Sequence, residues 1–210
     1  MFIVLEGVEG SGKSTQVRLL AEWLAERGIE HLVVREPGGT RIGEEIRRAL
    51  LHGGDDVPAR TELLLMVAAR AAFAERVVRP ALERGIVVVS DRYELSSLAY
   101  QGYGRGLPLD EVRQVNGFAT AGLSPDLTFV LDIEVEEGVA RRQRAGFAAD
   151  RIERAGDEFH REVARAYRLL SRTERAVELI GGGAEPEAVH AAIMSVLGSR
   201  FPETFSSAQG

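Results

Sequence analysis

Eight residues near the start of the chain, Gly7-Val8-Glu9-Gly10-Ser11-Gly12-Lys13-Ser14, fit the spacing G-x-x-x-x-G-K-S/T. In that pattern a glycine-rich loop turns its backbone amides toward phosphates, here from Gly7, Gly10, Ser11, Gly12, Lys13, Ser14 and Thr15. The lysine reaches the terminal phosphates and the hydroxyl of Ser14 ligates Mg²⁺. Lys13 is the only lysine among 26 basic residues, the rest being arginine. A compact ammonium on a thin stem suits the space beside two phosphates inside a tight loop better than a planar guanidinium does.

Three further clusters carry chemistry-bearing groups. Asp91-Arg92-Tyr93 puts a carboxylate beside a guanidinium at the end of an apolar run. The acid can hold Mg²⁺ through water and the arginine can clamp a phosphate in a bidentate fork, or the two can form a salt bridge that caps a strand. Asp132 ends a second run of the same form and competes with Asp91 for the metal. Arg141-Arg142-Gln143-Arg144 and Asp150-Arg151-Ile152-Glu153-Arg154 place five arginines within 14 residues. They read as a flap able to close over phosphates, or as a solvated helix face. Phosphoryl transfer spreads negative charge, and an acidic chain must supply cations locally, which favours the flap. The third cluster, Ser96 to Gly106, holds Tyr100 and Gln101 among glycines. An amide there can face the edge of a base, or the stretch is simply a helix end and a loop.

The elements that must position these groups alternate strand and helix. Apolar runs at Phe2–Leu5, His31–Arg35, Ile86–Asp91, Leu127–Asp132 and Val177–Ile180 predict five strands. The intervening segments include an amphipathic helix through Val17–Leu24 and a helix capped by Thr40 and running to about Leu51. An apolar stripe (Leu64, Leu65, Ala68, Ala72) continues toward a bend at Pro80, and a closing helix begins at Pro186. The predicted class is α/β: an open, parallel, five-stranded sheet of P-loop NTPase type with helices on both faces. Gly7, Glu36, Asp91 and Asp132 each follow a predicted strand and so share one edge. A single domain is expected over residues 1–200, with a lid at about 141–156 and a frayed polar tail at 201–210.

Composition narrows the classes. The chain has 210 residues, 45% apolar residues and a net charge of -6, which argues against a nucleic-acid or membrane-surface binder. It has no cysteine, so thiolate metal sites and cysteine nucleophiles are excluded. No secretory leader or membrane span is legible, and a cytoplasmic location is expected.

In order along the chain, Gly7–Thr15, Glu36-Pro37-Gly38-Gly39-Thr40, Ala68-Ala69-Arg70, Asp91-Arg92-Tyr93, Ser97–Gly102 and Asp150–Glu153 resemble the thymidylate kinase family. The likeness covers about Phe2 to Leu197. It implies ATP as phosphoryl donor with Mg²⁺ bound near Ser14 and Asp91, dTMP as acceptor, and dTDP and ADP as products, in the supply of dTTP. It further implies that Arg92 and Arg47 grip the dTMP phosphate with Glu36 organising that pocket. Arg70 and Gln101 read thymine beside Ser97, Tyr100 blocks a ribose 2′-hydroxyl, and Glu9 stands near the sugar and metal. Arg144 and Arg151 are implied as lid cations of the bacterial type, with Arg141 and Arg142 in reserve. Met66 stands where the family usually has a stacking phenylalanine. The loop Gly181–Ala184 would border adenine, and a homodimer through the helix face around Leu64 to Phe73 is implied. The alternatives are a P-loop kinase for another nucleotide or nucleoside, and a P-loop ATPase switch working through a protein partner. The single lysine leaves no Asn-Lys-x-Asp element for reading guanine.

Overall fold

The computed structural model describes residues 1–52, 57–146 and 150–205. Strands β1 (Phe2–Glu6), β2 (His31–Arg35), β3 (Val87–Asp91), β4 (Leu127–Asp132) and β5 (Val177–Gly181) pair in the order β2-β3-β1-β4-β5. Every pairing is parallel. The helices are α1 (Lys13–Glu26), α2 (Arg41–His52), α3 (Ala59–Phe73), α4 (Arg79–Glu83), α5 (Glu94–Ser97), α6 (Leu109–Thr120), α7 (Val135–Arg144), α8 (Asp157–Thr173), α9 (Pro186–Arg200) and α10 (Pro202–Phe205).

The strands are continuously apolar because both faces of the sheet are covered. In β1 the side chains alternate: Phe2 and Val4 meet Phe73, Val78 and Tyr93 on one face, while Ile3 and Leu5 meet Val17, Leu20, Leu24 and Leu197 on the other. Helices α1 and α9 thus cover one face, and the segments around α3, α5, α6 and α8 cover the other. The register sets Leu5 beside Asp91, Arg35 beside Asp91, and Asp132 beside Gly181. The carboxyl ends of the strands therefore form one edge. β1 lies between β3 and β4, which is the switch point where ligands bind in open α/β sheets.

Two sequence expectations, at Pro80 and in the C-terminal tail, need correction. None of the stripe Leu64, Leu65, Ala68 and Ala72 is buried on α3: Leu64 is 57% exposed, and the buried residues are Glu62, Leu63, Val67, Ala69, Arg70 and Phe73. The inward face carries charged residues because it borders a polar site. Pro80 does not end the helical run. A π-helical turn, Ala74–Val78, leads directly into α4, and Pro80, which has no N–H to give to the preceding turn, sits just past that wider turn. Residues 202–205 are not a frayed tail. They form α10, whose Phe205 is buried and stacks on Trp23 with ring centroids 5.3 Å apart. Residues 206–210 lie outside the described residues, as do Phe147–Ala149 of the expected flap and most of the loop after His52.

Candidate active site

The glycine loop follows β1 and ends at Gly12, which has a left-handed conformation (φ 96°) and caps α1 without any side-chain bond. The amides of the first turn of α1 are thereby left for an anion, in the positive field of a helix N-terminus. Gly10 (φ 74°) lies so close to the backbone of Gly138 in α7 that a Cβ at either position would overlap main-chain atoms. Lys13 Nζ donates to the carbonyl oxygens of Gly7 (3.1 Å) and Val8 (2.8 Å). Burial draws its pKa down to about 8, and Arg92 adds to the effect while Asp91, Glu9 and Glu6 oppose it.

Ser14 Oγ donates to Asp91 Oδ2 at 3.1 Å, so the end of β3 faces the loop hydroxyl. Asp132, the competing acid, accepts from Arg168 Nε at 2.8 and 3.0 Å instead. Ser14 and Asp91 are hard oxygen donors of the kind Mg²⁺ prefers. Among the described residues no group of three or more His, Cys, Asp or Glu could hold a metal. A cation here would take one or two protein oxygens and complete its shell with phosphates and water, as Mg²⁺ commonly does.

Arg92 stands at the centre. Its φ of 75° is rare for a side-chain-bearing residue, and the surrounding bonds hold it there. Nη2 donates to Glu9 Oε1 (3.0 Å) and to the Tyr100 hydroxyl (3.2 Å). Nη1 donates to Ser96 Oγ (3.2 Å) and the Tyr167 hydroxyl (3.1 Å). Behind it the fully buried Glu6 accepts from the Tyr93 and Ser96 amides, the Ser96 hydroxyl and the Tyr167 hydroxyl. Tyr100 also donates to Glu9 Oε1 at 2.7 Å. Burial pushes the Glu9 carboxyl up, but Arg92, Lys13 and the Tyr100 hydroxyl outweigh it and hold the group below the usual carboxylate range. The second Glu9 oxygen is buried with no hydrogen-bond partner among the described residues.

On the other side of Arg92 the buried Arg70 spends its donors within the protein. Nε donates to Glu36 Oε2 (2.7 Å), Nη1 to Ser97 Oγ (2.8 Å) and Asn116 Oδ1, and Nη2 to the Tyr93 carbonyl (3.0 Å). Four N–H groups are used and one on Nη2 is left. Burial raises the Glu36 pKa to about 7 despite Arg70, and Glu36 Oε1 has no hydrogen-bond partner among the described residues. Gln101 lies in a π-helical segment, Leu98–Gly104, and donates from Nε2 to Glu62 Oε1 at 2.9 Å. Irregular helix of this kind re-aims side chains and is common at functional sites. Arg47 on α2 donates to the Pro37 carbonyl at 3.0 Å.

The flap arginines divide. Arg144 Nε donates to its own helix at Ala140, and its side chain has no ion pair among the described residues. Arg141 pairs with Glu137 and donates to the Gly182 carbonyl at 3.0 Å, while Arg142 pairs with Glu153. Arg151, expected to face the phosphates, is instead buried: Nη2 donates to Glu62 Oε2 at 2.6 Å and Nε to the Leu50 carbonyl at 2.8 Å. It is an anchor between α2 and α3, because the acidic Glu62 beneath it offers a stronger partner than solvent.

Glu9, Lys13, Ser14, Glu36, Arg47, Arg70, Asp91, Arg92, Tyr100 and Gln101 border one cleft of about 1250 Å³, whereas Glu6, Glu62, Asn116, Asp132, Arg151 and Tyr167 stand behind its walls. It runs from Gly182 and Val189 past the glycine loop, Asp91 and Arg92 to Met66, Arg70 and Gln101, with Arg141, Arg142 and Arg144 along one wall. Its volume exceeds the upper end of ordinary small-molecule pockets, roughly 1000 Å³.

A family model described as thymidylate kinase matches residues 5–193. The chain belongs to the thymidylate kinase family. It is 48% identical to the thymidylate kinase of Halothermothrix orenii, over 85% of this chain and 87% of that one. Identity to the thymidylate kinase of Trichodesmium erythraeum is 42%, over 96% of each chain. The crystal structure of thymidylate kinase from Ehrlichia chaffeensis superposes with a TM-score of 0.74 at 29% identity, covering 94% of this chain and 98% of that one.

Membership in the thymidylate kinase family accounts for the P-loop fold and makes the chain a kinase, setting aside the P-loop switch. Several residues of the site escaped the sequence reading. Glu6 and Tyr167 hold Arg92, while Asn116 and Glu62 hold the two residues expected to read the base. Glu6 adjoins the phosphate loop and could have been suspected. Tyr167 and Asn116 lie on α8 and α6, segments to which the sequence reading assigned nothing, and only tertiary packing brings them in.

Proposed function

We propose that the chain transfers the γ-phosphate of ATP to dTMP, giving ADP and dTDP, with the two nucleotides end to end in the single cleft. The observation that carries this reading is the Arg92 guanidinium, 3.0 Å from Glu9 of the phosphate loop and on the path from that loop to Arg70 and Gln101. A phosphate held there lies between the two nucleotide subsites.

The ATP phosphates rest on the amides of Gly10 to Thr15, with Lys13 swinging from loop carbonyls to the terminal phosphates. Mg²⁺, held by Ser14 with Asp91 beside it, supplies neutralisation of phosphate charge when bound. The dTMP phosphate meets Arg92 and Arg47, and Glu36 fixes Arg70. Arg70 offers its remaining N–H to thymine O4 and Gln101 its amide to the N3 edge, while Met66 gives the ring an apolar contact. The Tyr100 hydroxyl, tied to Glu9 and Arg92, stands where a 2′-hydroxyl would need room. A phosphate oxygen of dTMP then attacks in line, so no covalent enzyme intermediate forms. Arg144, on the lid, stabilises the charge that spreads over the moving group, and lid closure excludes water that would otherwise hydrolyse ATP.

A homodimer and a cytoplasmic location belong to the same proposal. The exposed apolar side of α3 and the 91% exposed Phe118 on neighbouring α6 supply a face for a second copy. A monomeric mass in solution removes the dimer. Release of ADP measured over a panel of dTMP, dCMP, AMP and GMP tests the activity: dTMP turns over fastest, and a faster rate with any other acceptor overturns the assignment.

A further inference from the structure

Glu62 lies behind the base-reading end of the cleft, fully buried, one helical turn before Met66 and two before Arg70 on α3. Its Oε1 accepts from Gln101 Nε2 (2.9 Å) and Arg105 Nε (3.3 Å). Its Oε2 accepts from Arg105 Nη2 (3.2 Å) and Arg151 Nη2 (2.6 Å). Arg105 is held in turn over the Phe159 ring, 4.3 Å from its centroid, and Arg151 is tied to the Leu50 carbonyl. Two guanidinium groups therefore clamp one carboxylate, and the amide of Gln101 is the third donor on it. Burial pushes the Glu62 carboxyl up, but Gln101, Arg151 and Arg105 outweigh it, so the group stays ionised.

A side-chain amide has two ends of nearly equal shape and opposite hydrogen-bonding character. Which end faces a base decides which base is accepted. An ionised carboxylate can only accept, so Glu62 takes the NH₂ end of Gln101 and leaves the carbonyl oxygen as the end offered elsewhere. Thymine carries a donor at N3 and an acceptor at O4, and cytosine carries an acceptor at N3 and a donor at N4. An amide oxygen answers the N3–H of thymine. Against cytosine it sets lone pair to lone pair, with no compensating bond in a buried site.

We propose that Glu62 is the specificity-determining positioning residue of this enzyme: it locks the Gln101 amide in the orientation that accepts thymine and rejects cytosine. This rests on the assignment of dTMP as acceptor and of Gln101 as its reader. Glu62 touches no substrate and acts through Gln101 alone.

The test is the ratio of kcat/KM for dTMP to that for dCMP in Glu62→Gln, Glu62→Asp and Arg105→Gln. A glutamine at 62 presents either end, so the Gln101 amide can turn over. The ratio is expected to fall by about tenfold or more, with the KM for ATP within about twofold of the parent. Arg105→Gln removes a neighbouring ion pair but keeps the acceptor, so it lowers Tm and leaves the ratio unchanged. Glu62→Asp keeps an acceptor-only group and preserves the ratio within about twofold even where both rates fall, which retains the test should Glu62→Gln not fold. An unchanged ratio in Glu62→Gln, a collapsed ratio in Glu62→Asp, or equal shifts in Glu62→Gln and Arg105→Gln would overturn the proposal. A parent enzyme that prefers dCMP would instead overturn the assignment of dTMP on which it rests.

Discussion

The two ends of the cleft are built by different means. At the phosphate end the positioning is done by backbone: a left-handed Gly12, the close approach of Gly10 to Gly138, and the open first turn of α1. Two of the cations there, Lys13 and Arg144, are lightly engaged, one on loop carbonyls and the other on its own helix, while Arg92, between the two ends, is held by four hydrogen bonds. At the base end the positioning is done by side chains, with Arg70 and Gln101 tied to Glu36, Ser97, Asn116 and Glu62 from four separate segments. The contrast fits the two tasks. Phosphate charge has to be met by cations that can follow it through the transfer, whereas a base is recognised by donors and acceptors that cannot rearrange.

The sharpest way to break this contrast is at the phosphate end. Lys13→Ala is expected to lower kcat by at least about 10³ while leaving dTMP binding intact, because no other cation fits inside the loop. Residual turnover within tenfold of the parent would deny the lysine its role. Next come the two lid arginines, which should separate. Arg144→Ala is expected to cost about 3 kcal/mol of transition-state stabilisation, about a hundredfold in kcat, at unchanged Tm. Arg151→Ala leaves Glu62 with one fewer partner in a buried site and is expected to lower stability by about 3–5 kcal/mol, read as a fall in denaturation midpoint. The reverse pattern would return Arg151 to the phosphates.

At the base end Gln101→Ala should relax base choice rather than abolish turnover, lowering the dTMP preference over dCMP by about tenfold to a hundredfold. An equal loss with both acceptors would mean that the glutamine only supports packing. The smallest effect is in pH dependence. Lys13, drawn down to about 8, is charged below that pH and neutral above it, so the KM for ATP should rise as pH increases through 8. Glu36, raised to about 7, is ionised above that pH and neutral below it. Arg70 then loses its counter-charge as pH falls, and the KM for dTMP should rise severalfold toward pH 6. Glu36→Gln should lose this acidic limb and keep the alkaline one; two flat profiles in the parent would remove both assignments.

The same contrast explains what could be read from the sequence. The phosphate loop, the strand ends and Asp91 were legible because local spacing defines them: a strand, a glycine turn and a helix start occupy consecutive residues. The short continuous apolar runs located all five strands for the same reason. The Glu62 partner of Arg151 was not legible because it lies 89 residues away, and no local pattern distinguishes a buried guanidinium from a free one. The α3 stripe marks the outward side of its helix, because the buried face is partly ionic. Phe205 was lost to a polar stretch around it, although a single aromatic is enough to fasten a turn of helix onto Trp23. On α8 the spacing of Phe159, Val163, Tyr167 and Leu170 was an available helical signal. It would have located the helix, though not the contact between the Tyr167 hydroxyl and Arg92.

The most direct measurement is a crystal structure with dTMP and a non-hydrolysable ATP analogue bound together. The predicted result has a dTMP phosphate oxygen within about 3.5 Å of the γ-phosphorus, in line with the bridging atom, between Lys13 and Arg92. A dTMP phosphate lying away from Arg92, or two nucleotides in separate sites, would contradict it.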